Sequence, residues 1–131
     1  MMMDYNLEIG ASYTAEKIVG ETDSAVSLGS GTLPVFATPA MILLMELAAC
    51  QSVQDRLPEG VTTVGTMVSI QHLAATPLGA AVSATATLAE AAGRKLAFEV
   101  VATDANGIIG KGLHERTIVD VARFMSKIKG I

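Results

Sequence analysis

Apolar positions fill one run of this chain and alternate with polar ones in most of the others. From Phe36 to Cys50 the sequence reads FATPAMILLMELAAC, apolar almost throughout except for Glu46. Thr38 followed by Pro39 is a helix-start signal, with Thr as N-cap and Pro at the first helical position. Residues 39–56 are rich in Leu, Met, Ala, Glu and Gln, all good helix formers, and LPEG at 57–60 stops the run. The first three turns are apolar on nearly every side, which predicts a buried helix, while QSVQDR at its end turns polar. Upstream, SYTAEKIV (12–19) and AVSLG (25–29) predict two short strands. SGTLPVFA (30–37) predicts a loop, because Gly31 and Pro34 break regular pairing.

Downstream of Gly60 the pattern changes to β-branched residues in partial alternation: TTVGTMVSIQHLAA, AAVSATATLAEAA, RKLAFEVVATD and IIGKGLHERTIVDV. ATPLGA, EAAGRK and the hairpin signal DANG separate these four strands. VARFMSKIKG predicts a short closing helix. The order of elements fits an α+β fold, an antiparallel sheet wrapped around one long central helix, forming one domain over 1–131. Sheet faces and edges left over would favour a homodimer.

Composition narrows the function classes. Half of the 131 residues are hydrophobic and 17% are charged, so a packed core is expected; aromatics are only 4%, so that core is mainly aliphatic. A net charge of -4, with no cluster of Lys or Arg beyond the short tail KIKGI, argues against nucleic acid as a partner. The single cysteine, Cys50, excludes a disulfide within the chain and suggests a cytoplasmic location. MMMDYNLEIGAS lacks the pattern of a signal peptide, and the longest apolar run is too short to span a membrane, so no membrane partner is expected.

Four polar residues stand against apolar neighbours: Thr38, Glu46, His72 and Arg116; Gly65 is a glycine inside a strand. Each has a structural and a chemical reading. Glu46 is either a carboxylate paired with a buried Arg or facing a dimer seam, or a catalytic group with a shifted pKa. Thr38 is either an ordinary N-cap or a hydroxyl at the positive end of a helix, where developing negative charge is favoured. His72 is either a satisfied structural histidine or a general base. His114, among Lys111, Glu115 and Arg116, reads as a partly solvated strand residue. Cys50 reads as core filling, since mid-helix offers no activating cation. Two histidines without acids or Cys at ligand spacing make no zinc site, and the glycines of NGIIGKG make no phosphate loop.

VFATPAMILLMELAA, followed by LPEGVTTVGTMVSIQHLAATPLG, closely resembles the hotdog-fold thioesterases of the fluoroacetyl-CoA thioesterase type. The resemblance spans about residues 10–120 and is densest over 35–79. It implies the sheet-and-helix fold deduced above, working as a dimer on an acyl-CoA substrate, with no cofactor beyond the CoA of that substrate. The family's threonine in the FAT motif falls on Thr38, its helix glutamate on Glu46 and its HLAAT histidine on His72. These three would carry the hydrolysis of a small acyl-CoA thioester, while Gly65 and Arg116 would seat the substrate.

Eight residues of straight helix separate Thr38 from Glu46 by about 12 Å, which implies a site built at a dimer interface from both chains. Fluoroacetyl-specific members are similar in having a phenylalanine-bearing gate just before the FAT motif. Here SLGSGTLPVF offers only Phe36, so a different acyl group is expected. A non-catalytic acyl-CoA binding protein of the same fold is the alternative. A hydratase fits less well, because His72 has no acid four residues later.

Overall fold

The computed structural model describes residues 5–128. Strand β1 (Ser12–Ile18) leads through a 3-10 turn (Glu21–Asp23) to a one-turn helix, α1 (Ala25–Leu28). The long helix α2 (Thr38–Gln54) follows, then β2 (Val61–His72), β3 (Ala81–Ala92), β4 (Lys95–Asp104), β5 (Gly107–Asp120) and α3 (Val121–Ser126). The five strands form one antiparallel sheet in the order β1-β3-β4-β5-β2. The expected antiparallel sheet with one long helix is therefore present, with β1 and β2 at its two edges.

Two local expectations are corrected. AVSLG is not a strand but α1: Ser24 caps it by accepting from the Ser27 amide, and Gly29 closes it at φ +76. A strand of that length could not have outweighed a cap at each end. Thr38 is not the N-cap of α2. Ala37 holds that position in extended conformation with no side-chain cap, Thr38 is already helical, and Pro39 stands one residue further in than predicted. The predicted closing helix ends at Ser126, and the last part of VARFMSKIKG lies outside the described residues.

Helix α2 packs chiefly on β3 and β1. Its inner stripe, Met41, Leu44, Met45, Ala48 and Ala49, recurs at helical spacing and is buried. Opposite it, β3 turns Val82, Ala84, Ala86 and Leu88 inward, and β4 does the same with Leu96, Phe98, Val100 and Ala102. The core is largely aliphatic, with Phe36 and Phe98 as its large aromatic members. Each fully buried Leu or Met contributes roughly 1.5–3 kcal/mol. The glycines of NGIIGKG serve packing. A Cβ on Gly110 would lie 2.5 Å from the Met41 sulfur, and one on Gly112 would strike the Ser69 carbonyl. Helix α2 and strand β2 can thus approach β5 closely.

The helix is not buried on every side. Leu43 and Leu47 are 65% and 46% exposed on the face turned away from the sheet. Strand β2 pairs only with β5, so its other edge is open.

Candidate active site

The five candidate residues fall into two groups within the chain. The first is a pair at the start of α2. Because Ala37 caps the helix without a side chain, the Thr38 hydroxyl is not spent on the backbone. Its Oγ1 lies 2.8 Å from Nδ1 of His72, the last residue of β2. Thr38 is exposed, and the His72 ring is half-buried, edge-on to Phe36 at 6.5 Å between centroids. Burial pushes the His72 pKa below the ordinary histidine value, offset in part by the Ala74 backbone. His72 Nε2 is buried without a hydrogen bond of good geometry. Phe36 itself is 1% exposed and belongs to the core.

The second group gathers over Gly65. A Cβ there would lie 2.9 Å from Glu46 Oε2, 3.3 Å from His114 Cε1 and 3.4 Å from Arg116 Nη1. The missing side chain is what lets these three groups converge. Glu46 is half-buried and, among the described residues, makes no ion pair or hydrogen bond, so it is not the partner of a buried arginine. Arg116 is 7% exposed and is held by uncharged groups. Its Nε donates to Thr63 Oγ1 (2.7 Å), its Nη2 to the Thr63 carbonyl (3.0 Å) and its Nη1 to His114 Nε2 (3.2 Å).

His114 is not a partly solvated strand residue. It is 1% exposed, donates from Nδ1 to the Met67 carbonyl (2.8 Å) and stacks on Phe98 at 6.2 Å. Burial, with the Arg116 charge acting in the same direction, lowers its pKa. The sequence held a signal for this: His114 and Arg116 are two apart on one strand and so share a face. Lys111 and Glu115 obscured it, because on a strand these two point the other way.

A β-bulge brings both groups to the same side of the sheet. Gly65 and His72 are seven residues apart, an odd number, and in a regular strand would face opposite sides. The register shifts between Gly65 and Met67, leaving Thr66 as the extra residue. After it, Val68, Ile70 and His72 stand opposite His114, Gly112 and Gly110, and the alternation is reset. The groups are nonetheless distant within one chain. Eight helical residues give about 12 Å from Thr38 to Glu46, and seven extended ones up to about 23 Å from Gly65 to His72. A depression of about 400 Å³ lined by Ser69, Gln71, Glu99 and Lys111, among others, includes none of these side chains. Among the described residues no group of three His, Cys, Asp or Glu could hold a metal ion. No helix there is long and apolar enough to cross a membrane.

Known proteins share this frame. The family model described as "Fluoroacetyl-CoA-specific thioesterase" matches residues 19–122. The fluoroacetyl-CoA thioesterase of Streptantibioticus cattleyicolor is 39% identical over 95 residues, 72% of this chain and 68% of that protein. A solved structure of the fluoroacetyl-CoA thioesterase FlK superposes with a TM-score of 0.87 at 33% identity, covering 93% of this chain and 95% of that one. A thioesterase superfamily member from Thermus thermophilus superposes at 0.84 with 28% identity, covering 91% and 88%. The chain belongs to the fluoroacetyl-CoA-specific thioesterase family and has its hotdog fold.

Proposed function

We propose that this protein is an acyl-CoA thioesterase that hydrolyses a small acyl-CoA to the free acid and CoA. Family membership supports the reaction class, and one observation carries the assignment of residues: the 2.8 Å contact between Thr38 Oγ1 and His72 Nδ1. Thioester hydrolysis needs an oxygen nucleophile, a base for its proton and donors for the carbonyl oxyanion. His72 is neutral at neutral pH because burial disfavours its cation. With hydrogen on Nε2, its Nδ1 lone pair accepts from the Thr38 hydroxyl. The attacking oxygen, of Thr38 or of a water that Thr38 holds, gives its proton to Nδ1 as the new C–O bond forms. The carbon–sulfur bond then breaks, and His72 returns that proton to the departing thiolate. Attack by water gives the free acid directly. Attack by Thr38 leaves an acyl-threonine, which a water deprotonated by Nδ1 then cleaves as the proton returns to Thr38 Oγ1. Thr38 sits in the first turn of α2, whose positive end favours the developing negative charge. CoA enters as part of the substrate, and the chemistry requires no further cofactor. The cytoplasm, where acyl-CoA esters are made and used, is the setting we assign to it.

The site is completed by a second copy of the chain. Within one chain the Glu46, Gly65 and Arg116 group is too far from Thr38 and His72 to act on the same carbonyl. The open edge of β2 and the exposed Leu43 and Leu47 favour a twofold dimer. Antiparallel pairing of β2 with its copy, centred on Ser69, would set His72 opposite the bulge that begins at the partner's Gly65. Glu46 would then orient the nucleophile or stabilise the imidazolium, and Arg116 would donate to the carbonyl. The acyl group is not selected by a swinging Phe36, since that ring is packed against His72.

Two experiments test this. Free-thiol release from short, medium and aromatic acyl-CoAs, fluoroacetyl-CoA included, should identify a substrate whose turnover His72→Ala abolishes. Silence across the panel with CoA esters still bound would leave a binding protein instead. Mixing inactive Thr38→Ala and Glu46→Ala chains should restore about a quarter of wild-type activity. Half the dimers are then mixed, and each has one intact site of two. No recovery on mixing would sink the shared site.

A further inference from the structure

We infer that His114 is a positioning residue: a neutral imidazole, fixed as its Nδ1–H tautomer, whose Nε2 lone pair aims the Arg116 guanidinium at the open space over Gly65. Its catalytic consequence rests on the hydrolase reading above; the geometry does not. The tautomer follows from what each neighbour can do. The Met67 carbonyl can only accept, so Nδ1, 2.8 Å away, carries the hydrogen. The Arg116 guanidinium can only donate, so Nε2, 3.2 Å away, must be unprotonated. A protonated His114 would turn an N–H toward an N–H and set two cations side by side. His114 is therefore no acid or base for the reaction.

The result is a relay from backbone to site. The Met67 carbonyl lies just past the bulge, so the irregularity in β2 sets the tilt of the His114 ring. Phe98 supports that ring from one side. His114 and the two Thr63 oxygens together hold Nη1, Nε and Nη2 of Arg116. Nη1 carries two hydrogens. His114 takes one; the other has no acceptor among the described residues. With Nη1 3.4 Å from where a Gly65 Cβ would sit, that hydrogen is available to a ligand oxygen. A guanidinium pinned at three nitrogens loses little freedom when it meets a developing oxyanion.

The chain has two histidines, so a His72→Asn variant labelled with 15N-histidine reports His114 alone. At neutral pH we expect a protonated Nδ1 and a bare Nε2; an Nε2–H tautomer or a doubly protonated ring would overturn the assignment. Kinetics read the consequence in chains that keep His72. His114→Leu should lower kcat/KM by about ten- to a hundredfold, the scale of a misplaced catalytic group. His114→Gln, whose amide oxygen can still accept from Arg116, should recover most of that loss. In an Arg116→Met background the Leu substitution should cost nothing more, because the two act as one unit. An equal loss in both backgrounds would mean His114 serves only the core. Absence of any thioester turnover would remove the hydrolase reading, and the tautomer would still decide this one.

Discussion

The two halves of the proposed site are built on opposite principles. Thr38 and His72 meet at the surface through one hydrogen bond, at the first turn of a helix that does not need either for its cap. Around Gly65 the side chains are buried or half-buried, and Arg116 and His114 are tied into the sheet by four hydrogen bonds. The first half can be altered with little effect on folding. Loss of Arg116 or His114 from the second disturbs the sheet that positions them. A group that must move a proton benefits from a loosely tied hydroxyl, whereas groups that stabilise charge act best when they do not reorganise.

Substitutions should separate the halves. The largest effect is expected from His72→Ala: a fall in kcat of about 10²–10⁴-fold, the usual share of a general base. Its melting temperature should fall only slightly, since the side-chain hydrogen bond it removes is the exposed one to Thr38. Thr38→Ala should likewise lose activity while changing stability by no more than about 1 kcal/mol in a urea titration, the net worth of one exposed hydrogen bond. A clear drop in stability for either would show that this half is structural after all.

Arg116→Met, unlike Thr38→Ala, should cost stability as well as activity. It leaves both Thr63 oxygens and His114 Nε2 without their buried donor, and each such group costs about 1–3 kcal/mol. Denaturation midpoints check this, with a near-neutral result refuting the tied-in half. Gly65→Ala is subtler. Its Cβ would stand 2.9 Å from the end of the flexible Glu46 side chain, which can swing aside. Folding should survive while kcat/KM falls up to about a hundredfold, the effect of shifting a catalytic group by about 1 Å.

The smallest effect is on pH dependence. Both histidines have folded pKa values below the ordinary histidine value, so near neutrality both are uncharged in the native state. As pH falls below about 6.5 the unfolded chain binds protons that the folded chain refuses, so stability is full above that pH and declines below it. Melting temperature measured against pH should show this slope, and His72→Asn should make it shallower. In kcat/KM, the acid limb due to His72 should lie below the usual histidine range.

Much of this was legible in the chain. The strong helix formers of 39–56 and the β-branched alternation after Gly60 predicted one long helix and four long strands, all of which are present. AVSLG suits either a strand or a helix by periodicity alone, and Ser24 and Gly29, its helix start and stop signals, decide for the helix. Thr38 was read as a cap because Thr-Pro favours one. Ala37 leaves that amide end uncapped by any side chain, and the hydroxyl goes to His72. Lys111 and Glu115 suggest solvent near His114, but on a strand both point to the opposite face.

Propensity and periodicity act over a few residues, so they specify the long helix, the long strands, the buried stripe of α2 and the residue types available for chemistry. Which of those residues meet is set by the fold as a whole. The bulge at Thr66 is one extra residue whose presence no local pattern announces, yet it alone turns His72 to the side of Gly65. Pairing β2 with β5 brings Thr63, Gly65 and Met67 beside His114 and Arg116, about fifty positions away. Such contacts depend on register across the sheet, a property of two strands together and of neither one alone.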